Sequence, residues 1–273
     1  MRTINFTKMH GIGNDFVVID CRENDIREID NFAKRLCDRR FGIGADQLLL
    51  IYDSDIADFY MAIFNADGSE VEMCGNGIRC FAKYLVDRKI TNKTRLDVET
   101  PAGIIKPEII GDSVKVNMGA PILDGRKIPL DHDGEVIDFP LTVDGKEFNV
   151  TAVSMGNPHC VTFVDDVNAF DLDRFGPLFE RHVLFPNRVN FEVIDIINDH
   201  EINMRVYERG AAETLACGTG ACASAVAAHL NKKTGNNVLV HLRGGDLNIE
   251  IADDGNVYMT GPAKEVFTGE ISL

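Results

Sequence analysis

Basic residues are scarce in this chain of 273 amino acids: 28 Lys and Arg stand against 43 Asp and Glu, a formal net charge of −15. A polyanion would approach against that field, which argues against DNA, RNA or an anionic membrane surface as the main partner. Long hydrophobic runs are missing as well. The longest strongly apolar stretch is about Leu48–Tyr52, far short of the roughly 20 residues that span a bilayer. Met1 to Gly13 holds no continuous apolar segment, so no secretory leader is expected. The seven cysteines (Cys21, Cys37, Cys74, Cys80, Cys160, Cys217 and Cys222) are odd in number and cannot all pair within one chain. Their spacings, such as Cys74-x5-Cys80 and Cys217-x4-Cys222, lack the close pairs of zinc ligands, and no metal is expected. Free thiols in a reducing cytoplasm are the expectation.

What is present suits an ordinary globular protein. Hydrophobic residues make up 45% and charged residues 26%, enough to build a full core. At roughly 150 residues per domain the length corresponds to about 1.8 domains. The spacing predicts helices over Asp30–Arg40, Asn76–Lys89, Asp171–Arg181 and Thr219–Lys232, with Asp30 and Asp171 or Asp173 as N-caps. Residues 58–64 and 114–118 read as short strands, and Gly111-Asp112, Asp144-Gly145 and Asp253-Asp254-Gly255 as hairpin turns. Strands dominate without regular βαβ alternation, which points to the α+β class.

An internal repeat is the most informative feature. Glu70-Val71-Glu72-Met73-Cys74-Gly75-Asn76-Gly77 resembles Glu213-Thr214-Leu215-Ala216-Cys217-Gly218-Thr219-Gly220 at an offset of 143. The same ungapped shift carries Gly13-Asn14 onto Gly156-Asn157, Asp30 and Phe32 onto Asp173 and Phe175, Ile51 onto Ile194, and Ala82 onto Ala225. It also aligns Gln47 with Asn190 and Asn65 with Glu208. A duplicated domain follows, with halves at 1–120 and 121–262 and a C-terminal strand over 263–273 that completes the first. Two such halves are expected to pack about a pseudo-two-fold axis, with Cys74 and Cys217 as one facing pair.

Each Cys-Gly-x-Gly segment opens a helical run, so each thiol is expected at a helix N-terminus. The helix dipole and unpaired N–H groups there favour negative charge, and should draw a cysteine pKa from about 8.5 toward neutrality. The glycines let a ligand carboxylate approach those N–H groups closely. Two thiols flanking one α-carbon could remove a proton from one face and return one to the other, which inverts the centre. Each pKa unit of mismatch between the α-proton and a thiol is worth about 1.4 kcal/mol, so the carbanion needs strong stabilisation by the helix termini.

At this point the sequence resembles the diaminopimelate epimerase family. The likeness rests on Gly11-Ile12-Gly13-Asn14-Asp15-Phe16, Gly44-Ala45-Asp46-Gln47, Phe64-Asn65-Ala66-Asp67-Gly68-Ser69, Met73-Cys74-Gly75-Asn76-Gly77, Gly156-Asn157-Pro158-His159, Arg188-Val189-Asn190, Tyr207-Glu208-Arg209-Gly210 and Ala216-Cys217-Gly218-Thr219-Gly220. The resemblance implies a cofactor-independent epimerase that converts LL-diaminopimelate to the meso form, in lysine and peptidoglycan precursor synthesis. It implies two similar domains, each a curled, mostly antiparallel sheet around a central helix, in a cytoplasmic homodimer. Cys74 and Cys217 match the catalytic thiols, by family custom the donor and the acceptor in the LL-to-meso direction. His159 and Glu208 match residues that support the acid–base pair and the substrate amine. Asn14, Gln47, Asn65, Asn157, Asn190 and Arg209 match substrate contacts, and Gly75-Asn76 and Gly218-Thr219 the donors to the reacting carboxylate. Phe267 stands where the family often carries a tyrosine that reaches across the dimer interface.

Blander readings compete. Cys21, Cys37, Cys80, Cys160 and Cys222 read as small buried hydrophobes. Taken alone, His159 reads as structural, Asn14 and Asn157 as turn residues, and Glu208-Arg209 as a solvated charge pair. A proline racemase-like enzyme, a pyridoxal phosphate racemase and a non-enzymatic binding protein with a redox cysteine pair are the alternatives.

Overall fold

The computed structural model describes residues 3–24 and 26–272; Met1, Arg2 and Leu273, which the expected domain limits include, lie outside the described residues. In chain order the elements are β1 (Thr3–Gly11), β2 (Asn14–Asp20), α1 (Ile29–Cys37), β3 (Gln47–Tyr52), β4 (Phe59–Asn65), β5 (Glu70–Val71), α2 (Gly75–Asp87), β6 (Val98–Thr100), β7 (Gly103–Ile105), β8 (Glu108–Ile110) and β9 (Ser113–Asn117). There follow β10 (Phe139–Val143), β11 (Lys146–Ser154), β12 (Pro158–Phe163), α3 (Leu172–Glu180), β13 (Asn190–Asn198), β14 (Glu201–Glu208), β15 (Ala212–Thr214), α4 (Gly218–Leu230), β16 (Asn237–Leu242), β17 (Gly245–Ile251), β18 (Val257–Pro262) and β19 (Lys264–Ser272). One compact unit runs to Asn117 and resumes at Thr260; the other is Met118–Met259.

The first unit carries a mixed sheet in the order β19-β1-β2-β3-β4-β6-β7, with β5 on β4. The second carries β10-β11-β12-β13-β14-β16-β17-β18, with β15 on β14. Most neighbours are antiparallel. The exceptions are β2–β3 and β4–β6 in one unit, and β12–β13 and β14–β16 in the other, which run parallel. Each of those steps crosses over through a helix, as a parallel pair requires.

The offset of 143 holds in three dimensions. It carries α1 onto α3, α2 onto α4 and β1 onto β11 end to end. Strand registers move with it: Phe16 pairs with Gln47 as His159 does with Asn190, and Leu48 with Phe64 as Phe191 does with Tyr207. The turn after the first strand slips by one, since Gly11 faces Asn14 but Ser154 faces Pro158. The C-terminal strand β19 pairs antiparallel with β1, the place that β10 takes beside β11. Phe267 on β19 sets its ring edge against Phe6 at 6.0 Å and remains half-exposed.

Within its unit, α2 packs against β1 to β4 and the β8–β9 hairpin, and α4 against strands β11 to β14, β16 and β17. Helix α4 is alanine-rich and buried along nearly its whole length, because small side chains on every face let strands close around it. Helix α1 buries one face only, through Phe32, Ala33, Leu36 and Cys37.

Helix ends depart from the sequence-based expectation at α1. Its N-cap is Glu28, in a left-handed conformation without a side-chain cap, and Asp30 lies inside the first turn. The helix stops at Cys37 because Asp38 turns extended and its carboxylate takes the N–H groups of Arg40 and Phe41, an Asx turn that competes with the helix. Asp171 does cap α3, accepting from the Arg174 N–H at 3.2 Å.

Candidate active site

Helices α2 and α4 begin alike. Cys74 and Cys217 occupy the N-cap positions with extended backbone, and each sulfur accepts from the third helical N–H, Gly77 or Gly220, at 3.4 Å. Helix geometry leaves the N–H groups of Gly75 and Asn76, and of Gly218 and Thr219, without an intrahelical acceptor. Each cysteine therefore sits beside two backbone donors at the positive end of a buried dipole. A side chain at either cap-facing glycine would crowd the thiol: a Cβ on Gly77 would lie 3.3 Å from the Cys74 Cβ, and one on Gly220 would lie 3.2 Å from the Cys217 Sγ.

In the first unit the polar residues form two hydrogen-bonded groups, one around Asn14 and one around Gln47 and Asn65. Asn14 opens β2, and its Oδ1 receives the Asn76 amide at 3.1 Å and lies 3.7 Å from the Cys74 sulfur. Its own amide donates to Asp46 at 2.9 Å. Asp46 belongs to an ion network in which Arg39 grips both Asp15 and Asp46, and the Lys8 ammonium sits 2.6 Å from Asp15. Burial alone would raise the Asp15 pKa; the Arg39 and Lys8 hydrogen bonds and the Asp46 N–H outweigh it and hold that carboxyl far below the usual carboxylate range. Gln47 and Asn65 are cross-strand partners, joined by a 2.9 Å bond from the Gln47 amide to the Asn65 carbonyl. The Gln47 Oε1 and Asn76 Oδ1 atoms are buried with no hydrogen-bond partner among the described residues.

The second unit surrounds its cysteine with ionisable groups. His159 and Glu192 are fully buried, on adjacent parallel strands, with Nδ1 and Oε1 2.7 Å apart. The other ring nitrogen faces Asn157 Oδ1 at 3.1 Å. Asn190 donates to the Pro158 carbonyl at 2.9 Å and accepts from the Arg209 N–H at 2.9 Å, so it ties β12 to the end of β14. The exposed Arg209 guanidinium reaches the Asn187 carbonyl at 3.3 Å. Glu208 accepts from the Thr214 hydroxyl, and burial raises its pKa. Thr219 places its hydroxyl 3.5 Å from the Cys217 sulfur.

Here the electrostatics correct the sequence reading. Burial, followed by the charges of Glu208 and Glu192, pushes the Cys217 thiol well above its ordinary value, although the Thr219 hydroxyl and Gly220 N–H pull the other way. Desolvation and two carboxylates outweigh the helix terminus, so Cys217 rests as a thiol.

Every site residue anticipated from sequence falls within one of these two clusters. Several participants were not anticipated, among them the Lys8, Asp15 and Arg39 members of the ion network. Asp46 was visible only as part of a motif. Thr214 lies in the repeat and contacts Glu208 through the β14–β15 hairpin. Glu192 interrupts an otherwise apolar run, Phe191–Ile194, and a charged residue in a strand buried on both faces is the signal that could have exposed it. Among the described residues no group of three or more His, Cys, Asp or Glu side chains is placed to hold a metal ion, and no helix is long and apolar enough to cross a membrane.

Comparison with known proteins shows the family of the chain. The diaminopimelate epimerase family profile matches residues 6–123 and 151–266, one segment in each half. This chain belongs to the diaminopimelate epimerase family. A diaminopimelate epimerase of Agathobacter rectalis is 52% identical over 284 residues, covering 99% of this chain and 100% of that protein. One from Methanococcus maripaludis is 48% identical over 277 residues, again covering 99% and 100%. The fold reaches further than the family. A PhzF-family phenazine biosynthesis protein of Bacillus anthracis superposes with a TM-score of 0.74 at 18% identity, covering 100% of both chains. A probable proline racemase of Agrobacterium radiobacter gives 0.71 at 15% identity, covering 99% of this chain and 93% of that one.

Proposed function

We propose that this protein is an isomerase that inverts one α-carbon of LL-diaminopimelate to give meso-diaminopimelate, with Cys74 and Cys217 as its two acid–base groups and no added cofactor. The observation that carries the reading is the duplicated N-cap cysteine: the same thiol, flanked by the same two backbone donors, recurs 143 residues apart in a chain of this family.

The chemistry balances without redox change. One thiolate takes the α-hydrogen as a proton, and the C–H electron pair passes into the carboxylate as an enediolate. The second cysteine gives its proton to the opposite face of the carbon. The N–H groups of Gly75, Asn76, Gly218 and Thr219 are suited to hold the oxygens where that charge accumulates. The raised pKa of Cys217 supports its resting as the protonated member of the pair. After burial, its physical reason is the carboxylate pair beside Cys217, whose counterparts at the 143 offset, Asn65 and Leu49, are uncharged.

The polar sets suit a zwitterion with two amino-acid heads. Ammonium groups need acceptors, and the buried Gln47 Oε1 and Asn76 Oδ1, with the Glu208 carboxylate, supply them. Asn157 and Asn190 orient, and the exposed Arg209 fork suits a distal carboxylate. A cytoplasmic homodimer completes the proposal; half-exposed Val266 and Phe267 on β19 offer apolar surface for the second copy.

Incubation of the purified protein with LL-diaminopimelate in heavy water, without cofactor, tests the reading. Deuterium should enter the α-carbon of the inverted product, and absence of exchange excludes the assignment. Cys74→Ala and Cys217→Ala should each lower the rate by about 10³-fold or more, within or beyond the span of general acid–base catalysis. Near wild-type turnover in either variant would refute the two-thiol mechanism.

A further inference from the structure

The two units share backbone registers but not chemistry. At the 143 offset His159 corresponds to Phe16 and Glu192 to Leu49, and all four side chains are fully buried. A pair of apolar residues in the first unit is thus a histidine and a glutamate in the second, at the same place in the same pair of parallel strands. Burying two ionisable groups where the fold accepts two hydrocarbons is costly, since a hydrophobic pair of similar volume is usually neutral or stabilising. The cost calls for a return in function.

We propose that Glu192 is a positioning residue of the active site, which fixes the ring orientation and tautomer of His159 so that Nε2 carries a hydrogen directed at Asn157. The contacts point to it. Asn157 Oδ1 lies 3.1 Å from Nε2, and with the amide oxygen on that side Nε2 is the donor. Nδ1 then meets Glu192 Oε1 at 2.7 Å, and one proton lies between them. The second carboxyl oxygen of Glu192 is buried without a hydrogen-bond partner among the described residues. Gly220 makes the room: a Cβ there would stand 2.8 Å from Glu192 Oε1. In the first unit the edge of Phe16 lies against Gly77 in the corresponding way, 3.4 Å from a Cβ built on that glycine. Beside its charge on Cys217, Glu192 touches His159, whose other ring nitrogen faces Asn157 at the start of β12.

The inference rests on the epimerase reading, so its test has a readout independent of turnover. Nitrogen-15 NMR of histidine-labelled protein reports which ring nitrogen is protonated, and loss of one resonance set in His159→Phe assigns His159 among the seven histidines. A protonated Nε2 is expected in the wild type; a bare Nε2 overturns the proposal. Glu192→Leu reproduces the residue found at the equivalent site, so the backbone can hold it. It should lower kcat by about 10–100-fold with KM little changed, the range seen when an orienting partner of a functional histidine is removed. Glu192→Gln keeps the shape, can donate its amide to Nδ1 and should recover most of the lost rate. Wild-type kcat in Glu192→Leu, or a Gln variant no better than Leu, would each overturn it. Should Glu192→Leu not fold, the Gln variant and the ring-nitrogen measurement decide. A wild-type protein that catalyses no exchange defeats the epimerase reading and leaves the NMR test of Glu192 standing.

Discussion

Gly220→Ala adds one methyl group where the second unit has least room. Its Cβ would stand 2.8 Å from Glu192 Oε1, 3.0 Å from the Met204 methyl and 3.2 Å from the Cys217 sulfur. A carboxylate tip on a long side chain could normally swing away. This one is fully buried and bonded to His159, so yielding breaks a hydrogen bond between ionisable groups. Overpacking costs about 1–3 kcal/mol and the lost bond about 1.5–3, while replacing glycine in a helix returns about 0.5–1. The net loss is about 3 kcal/mol, or about 6–12 °C in the melting temperature of a domain near 150 residues. Gly77→Ala is the matched control. Its nearest neighbours would be the Ile63 methyl at 3.1 Å, the Cys74 Cβ at 3.3 Å and the Phe16 ring at 3.4 Å. Small adjustments relieve these, and the helix gain of about 0.5–1 kcal/mol roughly cancels the strain. Differential scanning calorimetry of the two variants beside the wild type measures the contrast. Equal shifts, or a Gly220→Ala protein as stable as the parent, would refute the claim that Glu192 is pinned.

Other outcomes follow from the same electrostatics. Iodoacetamide near pH 7.5, followed by peptide mass spectrometry, should label Cys74 first: it is part-exposed, whereas burial and nearby carboxylates hold Cys217 protonated, and burial pushes Cys21 and Cys80 up to about 12 and Cys37 to about 11. Faster labelling of Cys217 than of Cys74 would contradict this assignment. For Asp15, the folded pKa lies below the unfolded one, so its stabilisation is complete above about pH 5 and drains away as the pH falls through 4 toward the folded value. Urea titrations of Asp15→Asn and wild type should therefore show a full gap at pH 7 that has begun to narrow at pH 3, with most of the loss below that. A gap that stays constant between those two pH values would show that the Arg39–Lys8–Asp15 network does not titrate as described.

Much of the architecture was legible along the chain because duplication leaves a signal that needs no folding to read. Two octamers with four identities, and six further identities, matched at one offset, and that offset then placed strands, helices and both cysteine caps. Local chemistry explains why: a cysteine before Gly-x-Gly and a helical run can only sit at a helix start, and Asp144-Gly145, both at positive φ, forms the hairpin that this dipeptide favours. The end of α1 escaped because Asp38 offered the backbone a competing Asx turn, a contest too local and too close in energy for periodicity to judge.

What the linear order could not carry was the surroundings of each thiol. Read as residues, Cys74 and Cys217 are twins beside the same two glycines, and both were expected to ionise readily. Folding sets Glu192 and Glu208 near one and neutral side chains at the corresponding places near the other, through strand pairs separated by tens of residues. Desolvation and charge proximity depend on distance in space, so only the tertiary structure decided that Cys217 keeps its proton.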